Sequence, residues 1–95
     1  MSDKYNGWTN YETWRINLEM IDGMTAADFG VTDTDPNYRD TAVEDLADRL
    51  ESYVAEVVEA DAKGFALDLA NSFLARVDWE EIAEHMIDDY AAEMV

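Results

Sequence analysis

The chain has 95 residues, with 23 Asp and Glu against 6 Lys and Arg, and its formal net charge is -17. Hydrophobic residues make up 48% of it and aromatic residues 12%. This is more apolar side chain than a disordered acidic chain carries, so the composition predicts one globular domain spanning residues 1–95. So acidic a surface disfavours direct binding to nucleic acids or anionic membranes, because both need basic side chains. The expected partner is a basic protein.

The chain has no cysteine, which excludes disulfides and thiolate metal sites. The N-terminal sequence MSDKYNGW lacks the apolar stretch of a signal peptide, and no run approaches the ~20 apolar residues that cross a bilayer. These features predict a cytoplasmic protein that makes no contact with a membrane.

The first predicted helix covers residues 10–22. Thr9 and Glu12 have the spacing of a capping box, with a hydroxyl at the cap and a carboxylate three residues later. Gly23 is the expected terminator, since glycine readily adopts the left-handed conformation that ends helices. The face expected to pack on the core carries Tyr11, Trp14, Leu18 and Ile21. Trp8, just before the cap, is expected either to fold back as an aromatic lid or to form an exposed contact.

The residues after this helix break its pattern. Thr25 is expected to start a single helical turn that carries Phe29 into the core and ends at Gly30. The pair Asp35-Pro36 resembles a cap followed by proline at the first helical position, so the next helix is expected to begin either there or at residue 40.

The longest periodic segment, DTAVEDLADRLESYVAEVVEAD, covers residues 40–61 and predicts an amphipathic helix. Its apolar stripe carries Val43, Leu46, Leu50, Tyr53, Val57 and Ala60. The opposite face is acidic, and like charges three or four residues apart each cost on the order of 0.2–0.5 kcal/mol. Only Arg49, four residues after Asp45, offers local compensation. Something other than helix stability therefore favours this arrangement.

Two further helices are predicted after Lys63-Gly64, one over residues 65–76 and one from residue 79 onward, where Asp78 and Glu81 repeat the capping spacing. No segment has the alternation of a strand. The predicted fold is therefore all-α, a small single-domain bundle of three main helices plus a shorter or more peripheral N-terminal helix. Its predicted core comprises Trp14, Leu18, Leu46, Leu50, Val57, Leu69, Phe73, Ile82 and Met86.

Neither a metal site nor an active site is expected. Residues 33–44 place oxygen ligands at five positions of an EF-hand-like loop, but Tyr38 replaces the glycine of its sharp turn and Pro36 favours a helix start. His85 is the only histidine, and Glu81, one turn earlier, has the spacing of a helix-surface pair. No nucleophile elbow and no Gly-rich phosphate loop is present. We therefore expect no cofactor and no enzymatic activity.

Two blocks carry a resemblance to known proteins. The N-terminal YNGWTNYETW and the C-terminal ALDLANSFLARVDWEEIAEHMIDD resemble a family of small acidic proteins encoded by phages and plasmids. The resemblance implies a mobile-element origin, an accessory role and, for a phage protein, the host cytoplasm; it supplies no catalytic residues. Small acidic phage and plasmid proteins as a class include inhibitors of restriction and CRISPR systems. By that analogy the partner is a Cas effector or a restriction enzyme.

The spacing of the acidic residues suggests DNA mimicry. A helix with an acid every three or four residues presents a carboxylate every ~5–6 Å, and two such rows could occupy a Lys/Arg channel built for DNA. The residues predicted to bind this partner are Glu44, Asp45, Asp48, Glu51, Glu56, Glu59, Glu80, Glu84 and Asp88. Two alternatives remain open: an acidic adaptor module, or acidity that serves solubility or adaptation to high salt.

Overall fold

The computed structural model describes residues 5–33 and 35–93 and contains four α-helices. They are α1 (Tyr11–Ile16), α2 (Arg39–Asp61), α3 (Phe65–Leu74) and α4 (Trp79–Glu93). A π-helical turn (Asn17–Ile21) continues α1, and 3₁₀ turns occupy Ala26–Phe29 and Pro36–Tyr38. Within the described ranges the only β-type pairing is an isolated bridge between Tyr5 and Trp8. The prediction of an all-α fold is confirmed.

Helices α2 and α4 form the centre of the molecule. Leu46, Leu50 and Val54 of α2 and Ile82 of α4 are fully buried, and Met86 is 7% exposed. These side chains repeat every three or four residues, which places them on one face of each helix. The predicted core residues of α2 and α4 are therefore buried, except that Val57 is only half-buried.

The start of α1 differs from the prediction by one residue. The cap is Asn10, whose Oδ1 accepts the backbone N–H of Thr13 at 2.9 Å. The predicted capping box at Thr9 is wrong, because Thr9 instead bonds to α4: its N–H donates to Glu81 Oε1 at 2.8 Å. A contact 72 residues away in sequence outweighs the local motif.

The buried face of the first helix is also not the predicted one. Thr13 and Ile16 are buried in α1, while Tyr11 and Leu18 are 40% and 46% exposed and Trp14 is half-buried. The π turn explains why Ile21, only 1% exposed, still reaches the core. Its wider i→i+5 bonding, with Asp22 N–H donating to Asn17 O at 2.7 Å, shifts the helical register. The prediction that Leu18 lies in the core is wrong.

The segment between α1 and α2 follows the turn chemistry of its sequence. Gly23 and Gly30 are both left-handed, with φ of 88° and 82°, and end the π turn and the first 3₁₀ turn as predicted. Phe29 is half-buried and packs edge-on against Tyr53 with ring centroids 5.5 Å apart. Before α2, Asp35 Oδ1 accepts the N–H of Asn37 at 2.9 Å, so Asp35 caps a turn that begins at Pro36.

Helix α3 lies at the edge of the structure. It contains no buried residue and ends at Leu74, two residues before the predicted end. Phe65 is 76% exposed and Leu69 is 55% exposed, whereas Phe73 is half-buried. The prediction that Leu69 lies in the core is therefore wrong. None of the described helices is both long and apolar enough to cross a membrane.

Candidate functional site: the acidic surface of α2 and α4

All nine acidic residues predicted to bind a partner are exposed. On α2 they lie opposite the buried residues, because a helix turns about 100° per residue and separates its two faces. On α4, Glu80, Glu84 and Asp88 alternate with the buried Ile82, Met86 and Ile87 in the same way. Folding therefore leaves every one of these carboxylates available to solvent.

Two contacts define how α2 and α4 align. At one end, Arg39 at the start of α2 makes a bidentate pair with Asp88, with Nε and Nη2 each donating over 3.1 Å. At the other end, Asp48 and Glu51 of α2 line one open groove of about 500 Å³ together with Glu80 at the start of α4. The two helices therefore run antiparallel.

The antiparallel alignment brings six of the nine carboxylates together. Arg39 lies opposite Asp88, and Asp48 lies near Glu80, so Glu44 and Glu84 lie at about the same level of the two antiparallel helices. Successive acids are four residues apart, ~6 Å along the helix axis, except that Asp48 and Glu51 are three apart, ~4.5 Å. We call this arrangement the two-row array: Glu44, Asp48 and Glu51 on α2, and Glu80, Glu84 and Asp88 on α4.

The remaining three predicted residues lie outside this array. Asp45 pairs with Arg49 at 3.1 Å and lines a groove beside the loop that contains Val31. Glu56 lines a second groove beside Phe29, which Asp48 of the array also lines. Glu59 lies further along α2, towards its C-terminal end at Asp61. Glu56 and Glu59 extend the acidic surface along α2 beyond the array, whereas Asp45 widens it within the same span.

Ion pairing changes the charge of the surface at two positions only. Asp45 is paired with Arg49, and Asp88 is paired with Arg39. Among the described residues, no other ion pair involves one of the nine acids. The hydrogen bond and charge of Asp88, with smaller contributions from Glu84 and Asp40, raise the pKa of Arg39 above its ordinary value. Five members of the array, Glu44, Asp48, Glu51, Glu80 and Glu84, make no ion pair with any described residue.

Two participants were not predicted from the sequence. Asp28 joins Asp48 and Glu56 in the groove beside Phe29, and the sequence around it predicted only a single helical turn starting at Thr25. Arg39 reaches a carboxylate 49 residues away. Local spacing could reveal the Asp45 and Arg49 pair, whereas the Arg39 and Asp88 pair requires knowledge of the helix packing.

The carboxylates of the EF-hand-like segment are used within its own turns. Asp33 Oδ1 accepts the N–H of Asp35 at 2.9 Å, and Asp35 in turn caps the following 3₁₀ turn. Within residues 5–33 and 35–93, no group of three Asp, Glu or His side chains is placed to hold a metal ion.

His85 does not form the expected pair with Glu81. Its ring packs against Trp8 at a tilt of 39° with centroids 4.5 Å apart, and Glu81 accepts the N–H of Thr9. Trp8 is half-buried and packs against the core, in the manner of the predicted lid. The arrangement stabilises the contact between the N-terminal segment and α4.

The fold and surface define an acidic all-α protein with a carboxylate array on two antiparallel helices. Residues 1–95 match a family of unknown function, DUF7249, and the protein belongs to this family. Neither a curated protein nor a solved structure matches the chain.

Proposed function

We propose that the protein binds the nucleic-acid site of a basic partner and inhibits it as a DNA mimic. The two-row array carries this proposal: five of its six carboxylates make no ion pair with a described residue and face solvent. Each acts as a phosphate substitute for a Lys or Arg of the partner. Opposite charge accelerates encounter and aligns the two surfaces.

The length and charge density of the array determine how much duplex DNA it can replace in a binding channel. A row from Glu80 to Asp88 is ~12 Å long, close to the rise of three to four base pairs. Two rows with a charge every ~6 Å give one charge per ~3 Å, about half the axial density of duplex DNA, which has one per ~1.7 Å. Glu56 and Glu59 lengthen the surface along α2, and Asp45 widens it. We expect the protein to cover part of a DNA-binding channel rather than all of it.

The resemblance of the N-terminal and C-terminal blocks to phage and plasmid proteins directs the choice of partner. A Cas effector complex and a restriction enzyme both present basic channels and are the first partners to test. Host nucleoid and repair proteins present similar channels and follow. In each case the protein acts in the host cytoplasm without contacting nucleic acid itself.

The deciding experiment recovers a partner from host lysate and measures its binding in competition with duplex DNA. The proposal predicts mutually exclusive binding that weakens as salt is raised, since exposed charges more than ~10 Å apart are already screened at 0.1 M ionic strength and this distance shrinks as salt increases. Reversing Asp48, Glu51 and Glu80 to Lys should abolish competition. Single changes should have small effects, because exposed ion pairs contribute roughly 0–1 kcal/mol each.

A matched control reverses three exposed acids outside the array, Asp61, Asp68 and Glu93, which changes the net charge equally. Competition should survive in this control, because the array rather than total charge makes the contacts. A partner that binds the protein and DNA simultaneously, with unchanged affinity for each, would support an adaptor instead. Absence of any partner, together with unfolding at low salt, would support acidity as an adaptation to salt.

A further inference from the structure

Helix α3 presents an apolar stripe to solvent. Phe65, Leu69 and Phe73 are spaced four residues apart and therefore share one face. Phe65 is 76% exposed and Leu69 is 55% exposed. At its C-terminal end the stripe joins an aromatic group, because Phe73 contacts Tyr11 with ring centroids 6.2 Å apart. Exposed large side chains that form a continuous patch mark interaction surfaces, whereas scattered ones do not.

The aromatic group extends the stripe onto α1. Tyr11 lies 5.7 Å from Trp14 and 5.2 Å from Tyr5 by ring centroids. Tyr5 and Tyr11 are 39% and 40% exposed. A stable interface needs about a tenth of a small protein's surface from each partner, and the total surface here is 6231 Å². A tenth of this surface is ~620 Å², which is the area that three turns of α3 and these aromatic rings would have to bury on each copy in a stable pair.

Charge selects the occupant of this patch. Residues 62–77 contain Lys63 and Arg76 against Asp68 alone, and Arg76 pairs with Glu12 of α1 at 2.7 Å. The patch is therefore close to neutral in a chain whose net charge is -17. A basic partner is attracted to the acidic surface and gains nothing electrostatic here. A second copy of this chain is repelled everywhere except where neither copy presents excess negative charge. The α3 stripe is that place.

We propose that two copies of the chain associate through the apolar stripe of α3 in an antiparallel, two-fold symmetric pair. A two-fold interface brings the same patch of each copy together, so Leu69 meets Leu69 at the axis and Phe65 meets Phe73 of the second copy. The arrangement also sets Lys63 beside the C-terminal end of the other α3, where the helix dipole favours a positive charge. This proposal is independent of the DNA-mimic function, because the array lies on α2 and α4.

Disulfide trapping tests the geometry directly, since the chain has no cysteine of its own. Under mild oxidation, Leu69→Cys should give a cross-linked dimer within minutes. Tyr38→Cys, at a 56% exposed aromatic residue on another surface, is the matched control and should remain monomeric. Phe65→Cys mixed with Phe73→Cys should cross-link only across the two variants. Cross-linking of either variant with itself would contradict the antiparallel arrangement.

Sedimentation equilibrium tests whether the native chain associates. The mass should rise from 10.8 kDa towards twice that value with concentration. Association should strengthen as salt is raised, because screening removes repulsion between two copies that each carry -17. Leu69→Glu should weaken association at least tenfold with an unchanged circular dichroism spectrum, while Tyr38→Glu leaves it unaltered. A mass of 10.8 kDa at every concentration and salt would overturn the proposal, and so would a dimer insensitive to Leu69→Glu.

Discussion

Thr13 is the residue that joins the first helix to the last. It is fully buried, and its Oγ1 donates to Asn10 Oδ1 at 2.6 Å while accepting the backbone N–H of Asp78 at 2.8 Å. Asn10 also donates from Nδ2 to the carbonyl of Arg76 at 2.7 Å. One hydroxyl therefore connects the cap of α1 to the turn before α4. Its removal leaves a backbone donor without a partner in the interior.

We predict that Thr13→Val lowers the free energy of unfolding by about 1–3 kcal/mol, the typical cost of leaving a buried polar group unpaired. Valine preserves the shape of threonine, so the change isolates the hydroxyl. Urea denaturation measures the effect, with an unchanged m-value showing that the two end states are the same. Thr41→Val, at an exposed position of α2, should change stability by less than about 0.5 kcal/mol. Equal stability of both variants would contradict the assigned role of Thr13.

At the residue scale, the sequence predicts the kind of interaction, such as a helix cap, more reliably than it predicts which residues form it. Asp78 caps α4 as predicted, since its Oδ1 accepts the N–H of Glu81 at 3.1 Å. The predicted box at Thr9 failed because Asn10, one residue later, is an equally good cap and Thr9 bonds to Glu81. Capping rules use residues three apart. They carry no information about a carboxylate from the far end of the chain.

At the scale of elements, the π turn decides which side chains of the first helix are buried. Regular α-helical spacing predicts that Leu18 and Ile21 share a face. The wider turn between Asn17 and Asp22 instead leaves Leu18 46% exposed and Ile21 1% exposed. A π turn has no dependable sequence signature, so this face could not be predicted from periodicity.

The burial difference yields a paired prediction. Ile21→Ala should lower the free energy of unfolding by about 2–5 kcal/mol, because it removes a fully enclosed side chain and leaves a cavity. Leu18→Ala should cost less than about 1 kcal/mol, because water already reaches that side chain. Chemical denaturation of the two variants in parallel measures both values. A larger loss for Leu18→Ala would show that the regular helical face is the correct one.

Helix α3 shows a different limit of prediction from periodicity. Its apolar spacing is as clear as that of α2, and the sequence therefore placed Leu69 in the core. In the structure α2 and α4 already enclose the core between them, and α3 contacts only its edge, with no buried residue. A periodic apolar stripe shows only that this face of the helix packs against another surface. Whether the partner is the same chain or a second copy depends on packing that no local pattern records.

At the scale of the whole molecule, the acidic surface acts against folding. The two-row array sets like charges three or four residues apart along each helix, and each such neighbour costs a few tenths of a kcal/mol. Only Asp88 of its six members is paired with a described cation. Functional sites often contain residues that lower the stability of the fold and could be replaced by more stabilising ones. A surface retained despite this repulsion therefore fits a role in binding.

The thermal stability of the isolated chain should therefore rise with salt and respond to neutralisation of the array. Replacing Asp48 with Asn, and Glu51 and Glu84 with Gln, should raise the free energy of unfolding by about 1 kcal/mol at low ionic strength, by relieving several repulsive pairs. The gain should fade in 1 M salt, where charges are screened beyond ~3 Å. Asp68→Asn is the control, because no acidic residue lies three or four positions from it. Melting curves at two salt concentrations measure the effect, and a neutralised array that melts lower at low salt would show that its carboxylates stabilise the fold.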